Sequence, residues 1–274
     1  MSLSLQKTLV HTLLVVLSCI FLIPFFWMLS TSLKPDSQIL LFPPKWIPEP
    51  ILWSNYPKAI AALPFWTYTR NTIVITLFNI VGVIFSSSLV AYAFARLRWP
   101  GRNVLFVVLL STMMLPPQVT MIPVFILFKN LGWVNTFLPL IVPAFFGNAF
   151  FIFLLRQFFM TIPRELEDAA RVDGCPWLGI YWHVILPLSK PALATVGVFT
   201  FMGVWNDFMG PLIYLNSESK KTLALGLQAF LGEHSAEWAM LMAVSTLMLL
   251  PLLILFFLAQ RYFIEGITLT GLKG

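Results

Sequence analysis

Charge, cysteine and histidine are all scarce in this chain, and each shortage removes a class of function. Only 10% of its 274 residues are Asp, Glu, Lys or Arg, against about 25% in a soluble domain. With 59% hydrophobic residues and a mean hydropathy of +0.87, the chain reads as an integral membrane protein. The two cysteines, Cys19 in the first apolar run and Cys175 in a polar stretch, belong at different depths, so there is no disulfide framework. The three histidines, His11, His183 and His234, lack metal-ligand spacing. The sequence G-x-x-x-x-G-K-[ST] does not occur, so no P-loop binds ATP. No Ser-His-Asp or Cys-His set gathers on one side of the membrane. The expectation is a non-enzyme without metal or cofactor.

What the chain has is long apolar runs. About 20 apolar residues cross a hydrocarbon core of ~30 Å, and six segments qualify, at about 9–33, 72–95, 104–128, 137–159, 193–215 and 239–263. The first is too long for a signal-peptide core and no A-x-A-like site follows, so it reads as a retained span. The net charge of +6 comes from cations at the ends of these segments. That pattern is a positive-inside bias rather than a nucleic-acid patch. Lys7, Arg96, Arg98, Arg102, Arg156, Arg164, Arg171, Lys190, Arg261 and Lys273 fall on one side of a six-span topology. The expected orientation therefore has both termini in the cytoplasm of a multi-pass cell (inner) membrane protein. Between Lys34 and Trp66 seven prolines and the tryptophans Trp46 and Trp53 exclude one long helix. They predict an ordered extracytoplasmic loop at the bilayer surface.

One island stands apart, Pro163 to Pro187, PRELEDAARVDGCPWLGIYWHVILP. Pro163 followed by Glu165, Glu167 and Asp168 suits a helix start, because acids there complement the dipole. Gly174 is a natural stop. A helix over about 164–173 follows, with Ala169 and Ala170 leaving room for close approach by another protein. Asp173 and Gly174 end it, and Val184-Ile185-Leu186-Pro187 leads back to the membrane.

This spacing resembles the "EAA" loop of binding-protein-dependent ABC importer permeases, with Asp168-Ala169-Ala170 standing for Glu-Ala-Ala and Val184 for the usual isoleucine. The resemblance spans nearly the whole chain. Met114-Leu115-Pro116-Pro117, Leu131 to Thr136, Trp205-Asn206-Asp207-Phe208 and the tail Gln260 to Gly274 are similar to the carbohydrate branch, in particular the second permease of maltose-type systems. The resemblance implies an all-α integral membrane protein of six transmembrane helices with a cytoplasmic coupling helix, the type I ABC importer permease fold, in one permease domain with coupling loop 163–187 and tail 264–274. It implies inward movement of a sugar or sugar-like solute, with ATP hydrolysis on separate subunits. The implied partners are a second permease subunit, two ATP-binding ABC subunits, a periplasmic or lipid-anchored substrate-binding protein and membrane lipid, and no nucleic acid. The implied ATPase-coupling residues are Glu165, Glu167, Asp168, Ala169, Ala170, Asp173, Gly174, Val184, Leu186 and Pro187. Gly266, Thr268, Thr270, Gly271 and Lys273 are expected to reach the ATPases.

Polar residues inside the spans are the remaining signal. A mid-membrane charge costs ~2.5–3.5 kcal/mol, so it faces a cavity or a partner. Asp207, Asn206, Asn148 and Asn79 are candidate substrate-pathway residues. Interhelical hydrogen bonding is the competing reading, and it is stronger for Asn79. Asn148 follows Pro143 and Gly147, where a helix can open, and Pro116-Pro117 breaks the ladder of the third span. A stand-alone secondary transporter or channel is the alternative; it predicts paired ionisable residues in several spans or inverted repeats.

Overall fold

In the computed structural model, residues 3–232 and 236–271 are described, with side chains from residue 6 to residue 260. Among them the protein is helical, with one isolated β-bridge, Leu231 to Ala236, and no strand. In chain order the helices are α1 (Leu3–Ser32), α2 (Asn55–Ala61), α3 (Phe65–Arg96), α4 (Arg102–Thr112), α5 (Pro117–Asn130), α6 (Leu138–Ile141), α7 (Ala149–Thr161) and α8 (Glu165–Val172). There follow α9 (Trp177–Ile180), α10 (Leu186–Leu188), α11 (Lys190–Trp205), α12 (Met209–Tyr214), α13 (Leu223–Gly226) and α14 (Trp238–Gly271). Four helical stretches are long and apolar enough to cross a membrane, and six if each of two sharply bent pairs counts as one span.

The bends fall where the sequence removes backbone donors. α4 and α5 diverge by 97° across Met113 to Pro116, because two consecutive prolines cannot continue the hydrogen-bond ladder. The run 137–159 opens as well: Gly147 takes φ 88 and Asn148 starts α7 with its Oδ1 accepting from the N–H groups of Phe150 (3.0 Å) and Phe151 (3.3 Å). The run 193–215 is not continuous either. It stops at Trp205 and restarts as α12 after Asn206 to Phe208. There Asp207 Oδ1 accepts from Gly210 N at 3.0 Å, replacing a backbone carbonyl that the break withdraws. The last helix keeps helical backbone to Gly271, beyond the apolar stretch that ends at Gln260.

The chain folds as two compact units. One comprises residues 1–65 and 226–251. In it the proline-rich loop folds back on the end of α1: the Asn55 amide donates to Ser32 O (3.0 Å) and Lys34 O (2.9 Å). The Lys34 ammonium, fully buried, lies 3.9 Å above the Trp27 ring. The other unit comprises residues 66–225 and 252–274. Its core gathers Ala91 and Tyr92 of α3, Leu155 and Phe159 of α7, Ile180 of α9, the π-helical turn Tyr181–Ile185, and Val196 of α11. The serine run of α3 stitches these together. Ser86 Oγ donates to Ala144 O (2.9 Å), Ser87 Oγ accepts from Asn148 N (3.1 Å), and Ser88 Oγ meets the Tyr181 hydroxyl at 2.7 Å. Small polar residues at such seams let helices approach closely while satisfying donors that lipid cannot. Gly82 shows the same closeness, since a Cβ there would sit 2.8 Å from the Phe145 ring.

Candidate functional site

α8 is amphipathic and short, and its inward edge is electrostatic rather than greasy. Glu167, 2% exposed, ion-pairs with Arg96 (Nε to Oε1, 2.9 Å). The Arg96 guanidinium also donates to Phe159 O, and to Ile162 O at 2.5 Å. These carbonyls lie at the end of α7, where the i→i+4 ladder runs out of donors; Phe159 O also accepts from Ile162 N at 3.2 Å. One buried cation therefore joins the end of α3, the end of α7 and the start of α8. Arg171 adds a second layer: it reaches Glu167 at 3.6 Å and Asp168 at 3.2 Å while its guanidinium lies 4.0 Å over the Trp177 ring. Tyr92 of α3 donates to Trp177 O at 3.2 Å.

The outward face of α8 carries Glu165, Asp168, Ala169 and Asp173, all exposed, with Leu166 and Val172 between them. Val172 is 89% exposed. Gly174 takes φ +79, which ends the helix, and Cys175 N returns to Ala170 O at 2.9 Å. Next to this face Trp177, Leu178 and Trp182 are also exposed. Arg98 and Arg164 join Asp168, Arg171 and Trp177 around a recess of about 400 Å³. The surface thus mixes acids, unpaired apolar groups and arginines outside the core, a composition suited to a protein partner.

The site residues expected from sequence divide by position. Glu165, Asp168, Ala169, Asp173, Gly174 and Pro187 are exposed; Ala170, Val184 and Leu186 are partly buried and pack against the core. Glu167, expected among the coupling residues, turns its carboxylate inward to Arg96. Arg96 escaped sequence reasoning: it was one of three arginines between two spans, and nothing local marks a partner so far along the chain. Val172 escaped it too, its exposure being a property of the fold. Of the tail residues Gly266, Thr268, Thr270 and Gly271 only the helical backbone is described, and Lys273 lies outside the described residues.

Asp207 and Asn79 share a cavity of about 250 Å³ in the unit built on α3. Asn79 is buried and gives both amide hydrogens away, to Ile75 O and to Leu140 O, each at 2.8 Å. Asn148 and Asn206 are exposed and are not part of the lining of that cavity; Asn206 donates to Met202 O at 2.9 Å. No group of three His, Cys, Asp or Glu residues suited to a metal occurs among the described residues.

Broken apolar helices around a seam of small polar residues, with a short amphipathic helix presented outside the core, define a multi-pass membrane transport subunit. Residues 84–268 match the family described as binding-protein-dependent transport system inner membrane component, and the chain belongs to that family. It is 35% identical over 261 residues to the arabinooligosaccharides transport system permease protein AraQ of Bacillus subtilis (strain 168), covering 94% of this chain and 92% of that one. It is 33% identical over 265 residues to the sn-glycerol-3-phosphate transport system permease protein UgpE of Yersinia pestis bv. Antiqua (strain Antiqua), covering 94% of each. Among solved structures it superposes on a chain of a bacterial ABC transporter involved in import of the acidic polysaccharide alginate, with TM-score 0.82, 28% identity, and 96% and 99% of the two chains covered. The MetNI methionine ABC transporter, at 17% identity and TM-score 0.53, shares the fold over 72% of this chain and 91% of that one. The protein is an ABC importer permease and not an enzyme.

Proposed function

We propose that this chain is one of two permease subunits of a carbohydrate importer, receiving its solute from a substrate-binding protein outside and its work from two ATP-hydrolysing subunits that grip α8 inside. The observation that carries the reading is the α8 face: Val172 and Leu166 stand exposed among Glu165, Asp168 and Asp173, on a helix whose other edge is fixed by Arg96 to α3 and α7. A helix held this way cannot be pushed without moving the long span to which Arg96 belongs. Glu167 therefore serves coupling from behind, by transmitting the push, while its exposed neighbours make the contact. The arginines at the ends of the spans support cytoplasmic termini, which puts α8 on the ATPase side. The tail from Gly266 to Gly274 is assigned a contact with the same ATPases.

The carbohydrate class is supported by the named solutes of relatives such as the arabinooligosaccharide permease. A phosphorylated solute would call for arginines in the pathway, and the cavity beside Asp207 has none.

The test is co-purification with the second permease and the ATPases, followed by ATPase assay with and without loaded binding protein. A stable complex stimulated by one sugar-loaded binding protein supports the reading. A chain that purifies alone and transports without ATP overturns it in favour of a secondary transporter.

A further inference from the structure

The turn between α3 and α4 holds arginines that no carboxylate neutralises. A recess of about 300 Å³ opens there, lined by Arg98, Trp99, Gly101, Arg102, Asn103 and Val104. Arg102 is held in place: its Nη1 donates to Leu97 O at 3.0 Å and its Nε to Asn103 Oδ1 at 3.3 Å. Arg98 is exposed, and neither it nor Arg102 forms an ion pair among the described residues. Arg98 also lines the recess beside α8, but the carboxylates there, Glu167 and Asp168, are engaged by Arg96 and Arg171. No acid stands in the first turn of α4 either. A third cation adds to the excess. Arg156 of α7 lies 4.2 Å over the Phe106 ring of α4, close enough for the Arg102 charge to oppose its own. Trp99 packs on Phe94 with ring centroids 5.7 Å apart, which anchors the recess to the core. Beside the recess the surface turns apolar. Val104, part of the lining, shares one face of α4 with Val107 and Val108, and all three are more than half exposed.

We infer that this recess is a binding site for the headgroup of an anionic phospholipid, whose acyl chains lie along the valine face of α4. Depth, charge and shape agree. The recess sits where α3 ends, at Arg96, and α4 begins, at Arg102. Both belong to apolar segments of membrane-crossing character, so their shared turn stands at headgroup level. Guanidinium groups present planar pairs of donors that match phosphate oxygens, and basic pockets at the ends of spans take lipid phosphates. A zwitterionic lipid brings its own ammonium into the excess of cations and is disfavoured. An acidic protein segment would satisfy the arginines but leave the valine face without an apolar cover, whereas a phospholipid supplies both. The site concerns the lipid contacts of the subunit and does not depend on which solute is carried.

The test uses the permease with the subunits that co-purify with it, in detergent micelles given equimolar phosphatidylglycerol and phosphatidylcholine. Bound lipids are counted by native mass spectrometry. The wild type is expected to hold phosphatidylglycerol over phosphatidylcholine by roughly ten-fold or more, since each arginine beside a lipid phosphate gives about a five-fold gain. Arg98→Gln, at an exposed side chain, is expected to lower that ratio roughly five-fold, and the double variant Arg98→Gln, Arg102→Gln to bring it near parity. Lys129→Gln, at an exposed cation of α5, leaves the ratio unchanged. With p-benzoylphenylalanine in place of Val107, illumination is expected to cross-link the chain to lipid. A wild-type ratio near one, a ratio unaltered in both arginine variants, or an equal fall in Lys129→Gln overturns the site. Cross-linking of position 107 to a second protein chain in place of lipid overturns it as well. So does displacement of phosphatidylglycerol by inorganic phosphate alone, which would mark a phosphate site in which acyl chains play no part.

Discussion

Arg96 and Glu167 meet at 2.9 Å with side chains 2% and 3% exposed, one at the end of a long span and the other on the short helix outside it. Both side chains are almost wholly buried at the inner wall of the recess, and the Arg96 Nη2 donates to the carbonyls of Phe159 and Ile162. A buried pair of this kind is weak evidence for stability, because desolvation offsets most of the attraction. Its value lies in fixing one geometry: α8 has a single position relative to α3 and α7.

Glu167→Gln leaves the Arg96 charge buried without its counter-ion. The expected cost is about 3–5 kcal/mol, the typical result of removing one member of a buried pair. Thermal melting of the purified complex measures it. The double variant Arg96→Met, Glu167→Leu is expected to recover most of that stability yet remain uncoupled, with transport lost while α8 still binds the ATPases. Full transport in the double variant would show that the pair only holds the fold.

Val172→Asp tests the outward face without disturbing the fold. Val172 is 89% exposed, and surface substitutions of this sort stay within about 0.5 kcal/mol. Capture of the ATPases is nevertheless expected to fall ten-fold or more, because a charge replaces an apolar anchor at the centre of the contact. An unchanged pull-down removes Val172 from the interface.

The two faces of α8 differ in how far the sequence revealed them. Pro163, the three acids and Gly174 announced a helix over 164–173, and α8 runs from Glu165 to Val172. Composition and length alone marked the apolar runs. The breaks were partly visible: Pro116-Pro117 and Gly147 are backbone signals, read locally. The interruption at Asn206 to Phe208 was not anticipated, because an apolar run says nothing about where a side chain such as Asp207 takes over a backbone bond. Inward or outward pointing was equally hidden. Glu165, Glu167 and Asp168 are the same kind of residue in sequence, and only the arrival of Arg96 from a distant helix end turns Glu167 inward.

Gly174 is held at φ +79 with nothing within 4 Å of where a Cβ would stand. Any penalty for substitution is therefore backbone strain alone, about 1–2 kcal/mol for an ordinary L-residue. The expected order of destabilisation is Asn, then Ala, then Val, because Asn tolerates the left-handed region and a β-branched residue does not. Chemical denaturation reads the order. Gly174→Pro cannot adopt a positive φ at all and is expected to abolish ATPase stimulation while the spans still insert. Undiminished stimulation in that variant would count against α8 as the coupling element.

Glu218 links the segment after α12 to α3. Its Oε2 lies 2.5 Å from the Lys221 ammonium, and its Oε1 accepts from the Tyr68 hydroxyl. Lys221 first, and Tyr68 second, hold the Glu218 carboxyl below its ordinary value. A depressed carboxylate contributes stability that is present above its unfolded value, about 4.3, and is lost as the pH falls through the folded value. Between pH 7 and 5 the difference in melting temperature between wild type and Glu218→Gln is therefore expected to be constant, with the wild type higher. Below about pH 4 it is expected to shrink toward zero as the wild-type carboxyl takes up its proton. With 61% of the Glu218 side chain exposed, solvent screens the interaction and the shift is small. Its sign and its pH window are the readout, and a difference that widens on acidification would contradict the assignment of Lys221 and Tyr68 as partners of the ionised carboxylate.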